Sequence, residues 1–273
     1  MCGRYASTRT AAEIATEFAA LDATGAEAAL AGRGGLDFNG VDFNIAPTKP
    51  VLAVVRRHPR GVEGIPDRFR TERSVRVLRW GLVPSWAKDP SVGSRMINAR
   101  AETAADKPAF RKTLAARRCL LPATGWYEWK RAGSDASSKQ PYFVTGTDGS
   151  SLAMAGLWEF WKPPQAVEPL VSCAVLTTDA VGPLAEIHHR MPLLLPPEHW
   201  DAWLDPDAEA PPALLEPPSA ELVARLELRP VSTLVNNVRN QGPELVAPAP
   251  LIETLVEPVL ELDQPAVNPP RPR

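Results

Sequence analysis

The chain has few of the features that mark secreted, membrane-spanning or metal-binding proteins. Its 273 residues contain only 3 cysteines, at positions 2, 119 and 173, and no CxxC pair, so a disulfide framework or a structural zinc site is not expected. No apolar run approaches the roughly 20 residues that span a bilayer. The first residues lack the basic flank and apolar region of a secretory signal. We therefore expect a cytoplasmic protein that uses no membrane, no metal and no cofactor.

The composition is that of an ordinary soluble protein, with 44% hydrophobic and 23% charged residues, and the length suits one large domain. The net charge of −2 is unevenly placed, because residues 51–140 hold 19 Lys and Arg against 8 Asp and Glu. This basic segment could bind a polyanion, although a charge excess can equally mark a solvated face.

Short β-type runs separated by Pro and Gly cluster in the middle of the chain. They predict strands at Val51–Arg56, Ser74–Trp80, Arg118–Leu121, Tyr142–Thr145, Leu152–Trp158 and Val171–Thr177. Helical spacing predicts helices at Thr8–Leu21, capped by Ser7 or Thr8, and at Pro108–Ala116, Pro197–Trp203 and Ser219–Leu226. Because the strands cluster rather than alternate with helices, we expect an α+β fold with a mainly antiparallel β core and peripheral helices.

Two segments are expected to lack regular structure. Thr24–Gly35 is rich in Gly and Ala and predicts a loop. Residues 246–273 are rich in Pro and acidic residues and predict a disordered tail after a single domain of residues 1–245, with a short helix at Ile252–Leu260 left open.

Cysteine at position two is the first candidate for chemistry. A small side chain there permits removal of Met1, which would leave an α-amine and a thiol on one residue. Their ordinary pKa values of about 7.7 to 8.0 and about 8.5 mean that a modest shift makes either group reactive near neutral pH. An amine and a tethered thiol convert an aldehyde into an imine and then a five-membered thiazolidine. From the dipeptide alone, simple tolerance of Cys2 is the better explanation, and we expect Cys119 and Cys173 to be core residues.

Three further segments combine polar groups suited to catalysis. In RMINARAET, Asn98 and Arg100 alternate and would project from one side of a strand, or form an ordinary surface strand. In GWYEWK, aromatic neighbours would raise the pKa of the Glu128 carboxyl, unless that side chain faces water. In IHHRMP, two adjacent histidines on an extended chain cannot face the same site, so at most one is catalytic. The segments NIAP and RWGLVPSW could supply stacking surfaces or simply turn and core.

Seven motifs in order resemble the SRAP family, named for the SOS response-associated peptidase domain: MCGRY, NIAP, RWGLVPSW, INARAET, GWYEWK, IHHRMP and VNNVRNQGPEL. The resemblance implies a mixed α/β domain with a barrel-like antiparallel core. It also implies that the protein senses abasic sites in single-stranded DNA and forms a covalent thiazolidine link to them during the response to DNA damage. The segment Ala23–Phe38 is longer and richer in Gly and Ala than this family pattern requires. The family name leaves open whether its peptidase activity means more than self-removal of Met1.

By motif position, the resemblance assigns Cys2 as the nucleophile, Asn98 as a group that orients the reactants, Glu128 as the acid and base, and His188 as the group that promotes proton transfer and reversal. It assigns phosphate contacts to Arg4, Arg100 and Arg190, and a DNA groove to Asn44, Pro47, Trp80, Trp129 and Thr177. The implied partner is single-stranded DNA with abasic sites, while contacts with the replication machinery are left open.

Three other classes remain as alternatives. Glutamine amidotransferases of the amino-terminal nucleophile type also expose Cys followed by Gly, but the chain lacks a counterpart of their glutamine-binding segments. A Cys/His protease would need an activated internal cysteine. A non-enzymatic reader of modified DNA would use the groove and leave Cys2 idle.

Overall fold

The computed structural model describes residues 2–25, 40–59, 65–131, 139–163 and 169–251. The strands in these ranges are β1 Tyr5–Ser7, β2 Leu21–Asp22, β3 Asp42–Ile45, β4 Pro50–Arg57, β5 Glu72–Trp80, β6 Asn98–Arg100, β7 Arg118–Ala123, β8 Gly125–Arg131, β9 Lys139–Gly146, β10 Leu152–Trp161, β11 Leu170–Asp179, β12 Arg190–Pro192 and β13 Leu226–Pro230. The α-helices are α1 Ala11–Glu17, α2 Arg111–Ala116, α3 Trp200–Leu204 and α4 Ala220–Val223. No helix in the described ranges is long and apolar enough to cross a membrane.

The strands form two sheets. The smaller sheet has the antiparallel order β13-β9-β8-β1-β3. The larger sheet has the order β12-β11-β10-β7-β4-β5-β2, and parallel pairing of β5 with β11 closes five of its strands into a ring. Strand β6 adds to β11 in parallel. The predicted α+β fold with a mainly antiparallel core is confirmed, and all six predicted strands lie inside longer observed ones.

The ring is filled by side chains from strands rich in Val, Leu and Ala, including Cys119 and Cys173, both fully buried as expected. Close packing explains the glycine at position 156 in β10, because a Cβ there would lie 2.4 Å from Leu121 Cδ1 and 2.9 Å from Cys119 Sγ. Burial raises the pKa of the Cys119 and Cys173 thiols, so neither is an activated nucleophile.

The first helix starts later than predicted, and neither Ser7 nor Thr8 is its cap. The side chain of Thr10 accepts a hydrogen bond from the Glu13 backbone N–H, and the Glu13 carboxylate accepts one from the Thr10 backbone N–H, which together form a capping box. Ser7 instead belongs to β1, and the Thr8 hydroxyl lies 2.8 Å from that of Thr124. The segment before the helix is therefore pulled into the sheet.

The predicted helix Ser219–Leu226 is wrong in its second half. Helix α4 ends at Val223, and Leu226 begins β13, which pairs in register with β9 from Gly146 to Tyr142. Sheet pairing here overrides local helical spacing. The helix predicted at Pro108–Ala116 begins only at Arg111, and the one at Pro197–Trp203 is a 3-10 turn, Pro197–His199, followed by α3.

The chain passes beyond β13 and returns along its edge. The Ala249 N–H donates to the Pro230 carbonyl at 2.9 Å, and Arg229 Nη1 donates to the Val246 carbonyl at 3.0 Å. Val246 and Ala249 therefore contact the small sheet through their backbones. The predicted tail beyond residue 251, the helix suggested at 252–260 and most of the predicted loop at 24–35 lie outside the described residues.

Candidate active site and nucleic-acid interface

Cys2 lies three residues before the start of β1, which pairs with β3 on one side and with β8 on the other. Tyr5 pairs with Trp126, and the Tyr127 N–H donates to the Arg4 carbonyl at 3.0 Å. Because β1 and β8 are antiparallel, moving back from Tyr5 to Cys2 corresponds to moving forward from Trp126 towards Glu128. Cys2 is 4% exposed and packs in the same apolar cluster as Trp126.

The Cys2 thiol and the Glu128 carboxyl lie next to each other in this enclosed position, and each group shifts the pKa of the other. Glu128 is 5% exposed, so the alternative in which it faces water is wrong. Burial raises the pKa of Glu128, as predicted. The source of the burial differs from the prediction, because only Trp126 shares its apolar cluster with Cys2, whereas Tyr127 and Trp129 pack on the opposite side of β8.

The Cys2 thiol is not pre-activated. Burial raises its pKa well above the ordinary value, and the neighbouring Glu128 carboxylate raises it further. The shift is opposite in direction to the one that would make this thiol reactive near neutral pH. A base must therefore take the thiol proton when the sulfur reacts, and the Glu128 carboxylate beside Cys2 is the neighbouring group suited to that task.

Asn98 holds the backbone of Cys2. Its Nδ2 donates to the Cys2 carbonyl oxygen at 2.9 Å, while its Oδ1 is buried and accepts no hydrogen bond from the part of the chain that the structure describes. Strand β6 delivers Asn98 because it pairs with β11 opposite Val175, whose N–H donates to the Ile97 carbonyl at 3.0 Å. A buried amide oxygen beside a reactive residue can accept a hydrogen bond from an amine or a hydroxyl.

His188 follows the 3-10 turn Gly182–Glu186, and two residues of this turn contact the elements that form the site. Leu184 of that turn packs in the cluster that contains Cys2, and Lys130 Nζ of β8 lies 3.8 Å from a carboxylate oxygen of Glu186. His188 Nδ1 lies 3.0 Å from the Arg190 backbone nitrogen and 3.1 Å from the Arg190 carbonyl oxygen, so the backbone of Arg190 holds the ring through this nitrogen. Burial lowers the pKa of His188, in keeping with a neutral imidazole.

The two histidines do not point in opposite directions as expected. Their ring centroids lie 4.4 Å apart with planes at 31°. The reason is that residues 187–189 bend between the 3-10 turn and β12 instead of forming an extended strand.

Trp80 is buried in the core and presents no face to solvent. Its indole Nε1 donates to the Ile97 carbonyl at 2.9 Å, one residue before Asn98. Its ring packs edge-on against Tyr5 at 5.3 Å, three residues after Cys2. Trp80 therefore supports the two segments that carry Cys2 and Asn98, and it cannot stack on a base in this conformation.

Asn44 is also fully buried, and its hydrogen bonds hold the motif VNNVRNQGPEL against the small sheet. Its Oδ1 accepts from Arg4 Nη1 at 2.7 Å, and its Nδ2 donates to the carbonyls of Asn237 at 3.0 Å and Asn240 at 3.1 Å. Arg4 lies over the Trp129 ring at 5.9 Å. Asn44 thus positions Arg4 and is not itself open to a ligand.

The remaining predicted DNA contacts differ in their exposure. Arg100 is exposed at the end of β6, opposite the buried Thr177 of β11. Arg190 is buried and bonded to carboxylates. Pro47 is half-buried in a turn before Thr48, which has φ of 73°. Trp86, the last residue of the RWGLVPSW segment that could supply a stacking surface, is 62% exposed.

The described residues contain no group of three or more His, Cys, Asp or Glu side chains that could hold a metal ion. The family model described as SOS response associated peptidase (SRAP) matches residues 1–238. The chain belongs to the SRAP family. The resemblance drawn from the seven sequence motifs is confirmed.

Two SRAP relatives illustrate the match. The abasic site processing protein YoqW of Bacillus subtilis (strain 168) is 39% identical over 207 residues, covering 75% of this chain and 84% of YoqW. The abasic site processing protein HMCES of Gallus gallus is 37% identical over 212 residues, covering 68% of this chain and 60% of HMCES.

Two solved structures share the fold. A Bacteroides thetaiotaomicron protein superposes with a TM-score of 0.72 at 22% identity, covering 91% of this chain and 100% of that protein. A Bordetella bronchiseptica protein superposes with a TM-score of 0.62 at 25% identity, covering 85% of this chain and 100% of that protein. These structures support the two-sheet architecture.

Proposed function

We propose that this SRAP protein processes abasic sites by linking Cys2, freed of Met1, to the ring-opened aldehyde of an abasic site in single-stranded DNA. The observation that carries the proposal is the burial of Cys2 beside the buried Glu128 carboxyl, with the Cys2 backbone carbonyl held by Asn98 at 2.9 Å. The names of YoqW and HMCES support the same substrate.

The chemistry needs no oxidant, reductant or cofactor. The Cys2 α-amine attacks the aldehyde carbon and gives a carbinolamine, whose hydroxyl leaves as water after it receives a proton. The resulting iminium carbon is attacked by the thiolate, which closes a five-membered thiazolidine. One aldehyde and one aminothiol are thereby converted into one thiazolidine and one water, and ring closure is favoured because both nucleophiles belong to one residue.

Glu128 connects the two proton transfers. Its carboxylate takes the proton from the Cys2 thiol, and the same proton then converts the carbinolamine hydroxyl into water. The carboxylate is regenerated at the end of the cycle. A carboxyl with a raised pKa suits this double task, because it both accepts and returns a proton near neutral pH.

Asn98 and His188 act on the same centre in different ways. Asn98 fixes the Cys2 backbone and offers its buried Oδ1 to the amine or to the hydroxyl that leaves. The neutral His188 ring promotes proton transfer to the sugar and reversal of the link.

The DNA strand is proposed to run over exposed and half-buried groups around this pocket. Arg4 and Arg100 contact phosphates, and the rings of Trp129 and Trp86 stack on bases. Pro47 lines the groove beside them. The buried residues Asn44, Trp80 and Thr177 support the groove from beneath.

A denaturing gel tests the function. Wild-type protein incubated with a single-stranded oligonucleotide that carries an abasic site should give a retarded covalent band, whereas the undamaged oligonucleotide and Cys2→Ala should give none. If the abasic strand migrates free, the proposal fails. Glutaminase activity without retention would indicate an amidotransferase, and tight binding without any covalent band would indicate a reader of modified DNA.

Removal of Met1 is a separate requirement, because the α-amine of Cys2 is otherwise part of a peptide bond. Intact mass measurement of the purified protein should show loss of one methionine. Retention of Met1 in protein that still crosslinks would exclude a thiazolidine. Whether the protein removes Met1 itself is tested by the same measurement on Glu128→Gln, in which self-removal should be slowed.

A further inference from the structure

A carboxylate covers the guanidinium of Arg190 where β11 ends and β12 begins. Asp179 and Arg190 face each other in register, and Arg190 Nη1 donates to Asp179 Oδ1 at 2.6 Å. The other carboxylate on the same guanidinium belongs to Glu102, which follows β6. The positive charge of Arg190 is thus matched by two negative charges in the free protein.

The two carboxylates hold Arg190 differently. Glu102 accepts from Nη1 and Nη2 in a two-pronged arrangement, at 2.9 Å each, and the Thr177 carbonyl accepts from Nη2 at 2.7 Å. Asp179 makes a single hydrogen bond, and its side chain is 81% exposed, against 7% for Arg190. Glu102 and Thr177 therefore fix the guanidinium, whereas Asp179 can turn into solvent at little cost.

We propose that Asp179 is a stand-in for a DNA phosphate: it occupies the outer face of Arg190 in the free protein and is displaced by the strand. This inference rests on the proposed function and adds Asp179 as a residue that sets the affinity for DNA. A phosphate oxygen has the charge and the acceptor geometry of the carboxylate that it replaces.

The neighbourhood favours this exchange. Exposed Arg100 lies opposite Thr177, two residues before Asp179 on β11, so a phosphate that reaches Arg190 arrives beside a second guanidinium. Asn98 is two residues before Arg100 on β6, which is about 7 Å along an extended chain. The exchange therefore takes place next to the reacting centre.

The direction in which Asp179→Asn changes DNA affinity distinguishes this role from a structural one. Asp179→Asn removes the competitor while Glu102 and the Thr177 carbonyl still hold Arg190. DNA should then bind about threefold more tightly, the scale of an exposed ion pair. The slope of log affinity against log salt concentration should also be steeper by up to about 0.7. In the wild type, the displaced Asp179 carboxylate takes up a cation from solution, and in the variant no such carboxylate is released. A purely structural ion pair predicts weaker binding instead.

The test uses full-length protein and a fluorescent single-stranded oligonucleotide that carries a tetrahydrofuran abasic analogue, which has no aldehyde, so anisotropy reports non-covalent affinity. Asp179→Glu should bind like the wild type. The matched control is Asp201→Asn, because Asp201 is 79% exposed and also pairs with arginines, Arg56 at 3.2 Å and Arg73 at 2.7 Å, on another part of the surface. The control should leave affinity unchanged.

If Asp179→Asn binds DNA no more tightly than the wild type, the inference about Asp179 is overturned. The proposed function is not affected by that result as long as the wild type binds DNA. An equal gain in Asp201→Asn would also overturn it, since the effect would then be one of overall charge. If the wild type binds no DNA, both proposals fall. On aldehyde-bearing DNA at saturation, the crosslinking rate of Asp179→Asn should equal that of the wild type, and a slower rate would show that Asp179 shapes the reacting centre instead.

Discussion

The Cys2 pocket and the surface around Arg100 and Arg190 lie on the same strands but have opposite character. In the pocket, burial raises the pKa of both Cys2 and Glu128, so charge is avoided and one proton is shared. At the surface, the Arg190 guanidinium lies beside the exposed carboxylates of Glu102 and Asp179. The difference separates two tasks: the pocket should govern the rate of bond formation, and the surface should govern affinity and its response to salt.

The largest effect is expected from removing the proton acceptor in the pocket. Glu128→Gln keeps the shape of the side chain but cannot take the thiol proton, so crosslinking should slow about 100-fold while non-covalent DNA binding is unchanged. Single-turnover kinetics on an abasic oligonucleotide measure both. In the wild type, the rate should rise with pH through the raised pKa of Glu128, and this rise should be absent from the variant. Equal rates in the two proteins would remove Glu128 from the proposed chemistry.

Reversal should depend on His188 more than formation does. His188→Ala should slow release of the crosslink about tenfold, with a smaller effect on its formation, because the neutral imidazole takes up a proton from water and passes it to the sugar. Release is measured by chasing preformed crosslink with excess unlabelled abasic DNA. Equal slowing of both directions would indicate that His188 only shapes the site.

A substitution at Trp80 should disturb the site indirectly, through the segments that carry Cys2 and Asn98. Trp80→Phe keeps an aromatic ring against Tyr5 but removes the hydrogen bond to the Ile97 carbonyl, so Asn98 should be less well held. Crosslinking at saturating DNA should slow about fivefold with DNA affinity unchanged. A loss of affinity with an unchanged rate would instead mean that Trp80 contacts the strand, as the family resemblance first suggested.

The buried carboxyl should cost the protein stability at neutral pH. Because folding raises the pKa of Glu128, the native state binds more protons than the unfolded state above the ordinary value of 4.5. Stability attributable to this group is therefore lost as pH rises towards the raised pKa. Glu128→Gln should be about 1 kcal/mol more stable than the wild type at pH 7, with the gap closing below pH 4.5. Denaturant unfolding at several pH values checks this, and a gap independent of pH would contradict it.

The smallest effect is expected at the surface. Arg100→Gln should make the salt dependence of DNA capture shallower by about 0.7, the amount expected for one lost phosphate contact on a single strand. The crosslinking rate at saturating DNA should stay the same. A slower rate at saturation would break the division between pocket and surface.

The sequence motifs assigned Asn98 and Glu128 to one site with Cys2, because the order of the motifs carries family information, and both residues lie beside Cys2 in the structure. They could not predict that the Cys2 thiol would be buried enough to raise its pKa. That outcome depends on Trp126 and on contacts from distant strands. Nor could they show that Asn44 holds residues nearly 200 positions away.

Secondary structure followed a similar division. Strands such as β4 and β11 could be predicted because their Val-rich runs suit a buried sheet whatever lies beside them. The strand β13 could not, because Leu226–Pro230 has no strong β pattern and owes its conformation to pairing with β9. The pairing of Asp179 with Arg190 likewise follows from register between β11 and β12, which local sequence does not determine.

Mass spectrometry of the amino-terminal peptide after crosslinking tests the central claim most directly. The peptide should begin at Cys2, carry the sugar remnant with loss of one water, and resist thiol alkylation, because amine and sulfur are both held in the ring. A modified peptide that still contains Met1, an adduct with an alkylatable thiol, or attachment to a lysine elsewhere would contradict the thiazolidine mechanism.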